Sequence, residues 1–119
     1  MTERDRLLGL GRDELARGAY FAAHERWEEA WHLSVAPEKL AVQALVQLAV
    51  ALHHLAHGNC AGAASVLAKA QRKLASPDSP PSLGESPSID MSVVRIAIDR
   101  LISELAAGAT PDPATVSVG

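Results

Sequence analysis

The feature that most restricts the fold of this 119-residue chain is the apolar stretch over residues 41–55. Its polar side chains are Gln43, Gln47, His53 and His54. Pro37 suits the first turn of a helix and Gly58 suits a helix end, so the pattern predicts a helix over about 37–57. A helix that is apolar nearly all round belongs at the centre of a bundle or against a partner. Because roughly 20 apolar residues are needed to span a bilayer, we interpret it as a buried helix and not as a membrane span.

The rest of the chain also favours helices, because its apolar residues are mainly Ala, Leu and Val and no alternating strand pattern occurs. Further helices are predicted over 12–17 (with a helical segment over 3–9), 20–33, 60–75 and from about 90 to 107. Residues 76–88 hold four prolines and five serines, which predicts an exposed loop. The predicted fold is an all-α bundle of four to five helices, with one domain over 1–108 and a loosely held tail over 109–119.

Charge and cysteine content restrict the function classes. The net charge is −3 with both signs interspersed, so nucleic-acid binding through a basic face is not expected. The cluster Lys69, Arg72 and Lys73 is interpreted as cations that favour a helix C-terminus. The single cysteine, Cys60, excludes an intramolecular disulfide and suits a reducing cytoplasm. The N-terminus lacks the apolar core of a signal peptide, so we predict a cytoplasmic protein without a membrane segment.

The segment FAAHERWEEAWH, residues 21–32, concentrates the polar and aromatic residues that could form a site. On a helix, His24 and Glu28 share a face, because residues four positions apart are neighbours. The tryptophans of the segment would draw this face towards the interior, where charged groups need partners. The simplest assembly sets His24 and Glu28 against Gln47 or His54 of the central helix. The predicted ligand-binding residues are therefore His24, Glu25, Trp27, Glu28, Trp31, Gln43, Gln47 and His54.

Three interpretations of this cluster remain open at the level of sequence. His24, Glu28 and His54 could ligate a divalent metal ion, although the second histidine of an HExxH zinc motif is absent. Glu28 could instead form an acid–base pair with His24 or His54, which makes these three the candidate catalytic residues. The cluster could also be a hydrogen-bonded network that fixes helix register, with the tryptophans filling volume. His53 and His57 add a further pair at a ligand-compatible spacing of four.

Two segments, GAYFAAHERWEEAW (18–31) and VQALVQLAVALHHLAHGNCAGA (42–63), resemble the domain of unknown function family 309 of bacteria and archaea. The resemblance covers about residues 12–75 and implies a small helical bundle. It implies no activity, because none is established for the family. The positions that match the family motif are His24, Glu25, Glu28, Trp31, Gln43, Gln47, His54, Gly58 and Asn59. His53 and His57 depart from it, which weakens a metal site built on them.

These observations predict two functions of different classes. In the first, the cluster binds a small ligand or a metal ion and supports hydrolytic chemistry. In the second, the chain is a non-enzymatic structural or interaction module that associates with itself through the nearly all-apolar central helix. The residues do not decide whether the chain is an enzyme.

Overall fold

The computed structural model describes residues 1–85 and 88–119, and over these residues the chain forms five helices and one very small sheet. The all-α prediction is confirmed. The elements are α1 (Glu3–Ala16), α2 (Tyr20–His32), α3 (Glu38–Ala56), α4 (Cys60–Leu74), β1 (Ser82–Leu83), β2 (Ile89–Asp90), α5 (Met91–Ala106) and a 3-10 turn (Pro113–Thr115). The two helical segments predicted before Gly18 form one continuous helix.

Side-chain caps and left-handed glycines explain where the helices begin and end. The Asn59 side chain accepts a hydrogen bond from the Gly62 N–H (2.9 Å), which caps α4. Asp90 caps α5 by accepting from the Ser92 N–H at 2.9 Å. Gly18, Gly58 and Gly108 follow helix ends with φ between 74° and 84°, where other residues would be strained.

Each helix packs mainly on its neighbours in sequence, in the order α1, α2, α3, α4 and α5. Short turns join the first four, so consecutive helices run antiparallel. The central helix α3 contributes nine buried residues to the core, including Leu45, Leu48 and Leu52. Trp27 of α2 is wholly buried, and its indole N–H donates to the Leu8 carbonyl oxygen (3.1 Å), which joins α2 to α1.

Helix α3 is also long and apolar enough, by length and composition alone, to cross a membrane. Half of its most apolar window is buried against the rest of the protein. Core helices of soluble proteins pass the same test. The packing of α3 is therefore compatible with a soluble protein.

Two segments differ in detail from what the sequence predicts. In the proline-rich loop, Leu83 is buried and pairs with Ile89 across the antiparallel β1–β2 ladder, while positions 86–87 of the predicted loop lie outside the described residues. The predicted loose tail packs on the bundle instead, because Val116 and Val118 are buried. The Val118 carbonyl oxygen accepts from the Asp90 N–H at 3.1 Å. Leu83, Val116 and Val118 are thus buried in the core although the segments around them are mainly polar.

Candidate functional site

The buried face of α2 is made by Tyr20, Ala23, Trp27 and Ala30. The predicted polar residues flank this face and do not enter it. The His24 side chain retains 21% of its exposure, and the Glu28 side chain retains 51%. The expectation that Glu28 lies in the interior is therefore wrong. Successive residues are turned by about 100° on a helix, so Glu28 emerges beside the bundle while Trp27 faces the core.

His24 and Glu28 do meet, as their spacing predicts. Nε2 of His24 lies 3.1 Å from a carboxylate oxygen of Glu28. The carboxylate can only accept, so the imidazole donates from Nε2 to Glu28. Nδ1 of His24 is buried and has no hydrogen-bond partner in the described structure.

The end of α3 presents its two adjacent histidines to different neighbours. The His53 ring lies 5.7 Å from the ring of Phe21 in α2, which also contacts His24 at 5.5 Å. Nδ1 of His54 instead accepts from the Asn59 side-chain amide at 3.2 Å, at the turn into α4. Among the described residues, no hydrogen bond or ion pair joins His54 to His24 or Glu28. His53, and not His54, is the histidine of α3 that faces the start of α2.

His53 lies in a group of four histidines at this end of the bundle. Its ring is 4.3 Å from the ring of His57 and 6.4 Å from that of His54. Burial lowers the pKa of His53, and positive charge on His57, His54 and His24 lowers it further. Nδ1 of His57 donates to the His53 carbonyl oxygen at 2.8 Å, which leaves its Nε2 as the lone-pair nitrogen of the neutral ring.

The two tryptophans have different roles. Trp27 is a core residue bonded to α1, so it does not line an open site. Trp31 is half-buried, and the Lys39 ammonium lies 4.5 Å above its ring, within the range of a cation–π contact. The indole nitrogen of Trp31 is buried without a hydrogen-bond partner.

The remaining predicted residues are spread along the outer surface of α2 and α3. Glu25 is exposed, and Gln43 and Gln47 are half-buried. The side-chain oxygen of Gln47 is buried without a partner, and no hydrogen bond or ion pair of the described residues links it to His24 or Glu28. Gln47 precedes His54 by seven positions, which places both on one face of α3. The predicted cluster is therefore two separate groups.

No group of side chains suited to a metal ion is found at the predicted site in the described part of the chain. Over residues 1–85 and 88–119, no three His, Cys, Asp or Glu side chains are grouped so that they could hold a metal ion. Five open clefts of about 200–560 Å³ occur elsewhere, and none is lined by a predicted site residue. The predicted site residues thus lie apart from these five clefts.

Comparison with known families agrees with the resemblance noted in the sequence. Residues 8–66 match the family described as domain of unknown function (DUF309). The chain carries a DUF309 domain. The matched residues extend from the middle of α1 to the middle of α4, and they include the α2–α3 pair. No curated protein and no solved structure matches the chain.

Within the DUF309 segment, Phe21 and His53 join α2 to α3, although neither is among the site residues predicted from the sequence. Phe21 is 55% exposed, although it is one of only four aromatic residues, and it contacts rings of both helices. A signal was available, because an aromatic residue directly after the buried Tyr20 must point away from the core on a helix. His53 departs from the family motif whereas His54 matches it, so the motif alone favours His54 as the site residue.

Proposed function

We propose that this DUF309 chain is a non-enzymatic interaction module that pairs with a second copy of itself through α3. The outward stripe of α3 consists of Lys39, Gln43, Val46, Val50, His53 and His57. The helix is the most apolar of the bundle, yet the first five of these residues are only half-buried and His57 is exposed. This incomplete burial of an apolar helix is the observation that carries the proposal.

The spacing of the outward stripe suits helix pairing. Its members recur at intervals of four and three residues, which is the spacing of the a and d positions in paired helices. A two-fold axis across an antiparallel α3 pair would set Val46 against Val50 of the second copy. The same axis would set Gln43 against His53 and Lys39 against His57. The stripe is thus self-complementary, with apolar residues at its centre and hydrogen-bonding residues beside them.

Two further features support an interface on this surface. Gln47 borders the stripe with a side-chain oxygen that lacks a partner, and such a group is costly until a donor reaches it. Because the Gln47 side chain is only half-buried, a small rotation turns its amide towards a partner. Phe21 extends the apolar surface at the His53 end.

Ligand or metal binding with hydrolytic chemistry receives less support from the geometry. Glu28 is half-exposed and already paired with His24, and His54 is engaged by Asn59. A general acid or base needs a substrate position within hydrogen-bond reach, and these three side chains do not converge on one. A cytoplasmic location for the module remains a prediction from the single cysteine, Cys60.

Analytical ultracentrifugation of the purified chain over a range of concentrations tests the proposal. We expect a reversible monomer–dimer equilibrium in the wild type. Val50→Glu places a charge at the centre of the stripe and should shift the protein to monomer. Gln43→Glu, at a half-buried polar position, should weaken pairing with less risk to folding. Far-UV circular dichroism checks that both variants keep their helices.

Ser65→Glu is the matched control, because Ser65 is exposed on α4 and lies outside the stripe. It adds the same charge and should leave the equilibrium unchanged. A wild type that stays monomeric at every concentration would refute the proposal. An equal loss of dimer in the Ser65 variant would show that net charge, and not the stripe, controls association.

A further inference from the structure

Three cations of α4 line one open cleft on a chain whose net charge is negative. Lys69, Arg72 and Lys73 surround a volume of about 560 Å³ together with Leu40, Ala75 and Ser76. No acidic residue lines this cleft, and none of the three cations forms an ion pair within residues 1–85 and 88–119. The Arg–carboxylate pairs of the described residues lie instead on α1, α2, the start of α3 and α5.

Among the described residues, none of these three cations hydrogen-bonds to the carbonyl groups at the end of α4. Carbonyl groups at this end of α4 already accept bonds from other donors. The Leu74 oxygen accepts from the Arg95 guanidinium at 2.7 Å and from the Ser79 hydroxyl at 3.2 Å. The backbone N–H of Ala75 donates to the Gln71 oxygen at 3.1 Å, and the N–H of Ser76 donates to the Lys73 oxygen at 3.4 Å. Three of the last four carbonyls are therefore satisfied without any of the three cations.

The folded protein holds these positive charges close to one another. Lys73 lies four residues after Lys69 and next to Arg72, so all three share one turn. Burial lowers the pKa of Lys73, and repulsion by Arg72 and Lys69 lowers it further. An anion bound between the three would remove this repulsion.

We propose that this cleft binds a small phosphorylated ligand that carries two or more phosphate groups. The Arg72 guanidinium can form two parallel hydrogen bonds with one phosphate group. The ammonium groups of Lys69 and Lys73 can neutralise the negative charge of the other phosphate groups. Leu40, which is 45% exposed, gives the cleft an apolar wall for the remainder of the ligand. The volume lies within the range of small-molecule sites.

A small ligand fits the cleft better than a nucleic acid does. The cations that line the cleft lie within about one turn of α4, whereas a nucleic acid backbone is followed by a longer basic surface. The overall charge of −3 would also repel a long polyanion.

Isothermal titration with inorganic tripolyphosphate at low ionic strength tests the site. We expect saturable binding that weakens as salt is added, because the charges are near the surface. Arg72→Gln and Lys73→Gln should each weaken binding by about tenfold or more, since each removes a charge-assisted contact. Arg17→Gln is the matched control, because Arg17 is exposed at the end of α1 and far along the bundle from the cleft. It should change binding less than about twofold.

Thermal unfolding gives a second readout that does not depend on heat of binding. Tripolyphosphate should raise the melting temperature of the wild type and of the Arg17 variant. It should raise the melting temperature of the Arg72 variant much less. Absence of saturable binding would overturn the proposal. Equal weakening in the Arg17 variant would overturn it as well, because diffuse charge would then explain the binding. Tighter binding of a single-stranded oligonucleotide through the same residues would replace the small ligand with a nucleic acid.

Discussion

At the scale of single residues, the contact between Gly11 and Trp27 shows how closely α1 and α2 approach. A Cβ atom on Gly11 would overlap the indole ring of Trp27, whose N–H is held by the Leu8 carbonyl oxygen. Gly11→Ala should therefore lower the free energy of unfolding by about 1–3 kcal/mol, the usual cost of overpacking. Urea denaturation measures this change.

Gly9 provides the control for this prediction within the same helix. Nothing lies within 4 Å of a Cβ atom built on Gly9, so Gly9→Ala should stabilise the protein by up to about 1 kcal/mol through helix propensity. Opposite signs for the two substitutions are expected. A stabilising Gly11→Ala would show that α1 and α2 are further apart than described.

His53 makes a second residue-scale prediction, on the pH dependence of stability. Its pKa in the folded state lies below the ordinary value of about 6.5, because of burial and the neighbouring His57, His54 and His24. The unfolded chain then binds the proton more tightly than the folded chain. The contribution of neutral His53 to the free energy of unfolding is fully present above about pH 6.5 and is lost as the pH falls below that value. His53→Gln should make the free energy of unfolding fall less steeply between pH 7 and pH 5.

His32→Gln is the matched control for this pH dependence. His32 lies at the opposite end of α2, where the centroid of its ring is 4.9 Å from that of Trp31 in a T-shaped arrangement. Unfolding by urea at a series of pH values measures the slope in each variant. If both variants and the wild type share one slope, the histidine group at the end of α3 does not contribute to acid destabilisation.

At the scale of elements, the sequence predicts well where the helices lie, but it predicts poorly which face of each helix contacts its neighbours. Capping by Asn59 and termination at Gly58 follow from local chemistry, so the α3–α4 turn is recognisable without coordinates. His53 and His54 are adjacent and chemically identical, and they are separated by about 100° around α3. Which of them meets α2 depends on the rotation of one helix against the other. That rotation is set by packing of the whole core.

The same reasoning applies to the predicted site on α2. The spacing of His24 and Glu28 sufficed to predict their 3.1 Å contact, because both lie on one helix. The depth of Glu28 could not be predicted, since the width of the buried face depends on how closely α1 and α3 enclose α2. Side-chain pairs within one helix can therefore be predicted from the sequence. The burial of a residue and its contacts with other helices cannot.

At the scale of the whole molecule, the last residues of the chain complete the bundle. The Arg12 guanidinium donates to the Gly119 backbone oxygen at 2.8 Å, and the Arg100 guanidinium donates to the Thr115 hydroxyl at 3.1 Å. These contacts join the tail to α1 and α5. The sequence predicts a loose tail because these residues follow Gly108 after the last helix, and terminal residues beyond the last element are usually poorly ordered. The Arg12–Gly119 contact joins residues 107 positions apart, and a contact of that separation cannot be recognised from the local sequence pattern.

The buried valines of the tail give the prediction at this scale. Val116 and Val118 are 7% and 2% exposed, so Val116→Ala with Val118→Ala removes four buried methyl groups. The expected loss is about 3 kcal/mol of unfolding free energy, at about 0.8 kcal/mol for each group. Ser117→Ala, between them and exposed, is the control and should change stability by less than about 0.5 kcal/mol. Urea unfolding of the two variants compares these values. An equally small effect of both would mean that the tail leaves the bundle in solution, and its contacts with α1 and α5 would then add nothing to the stability of the fold.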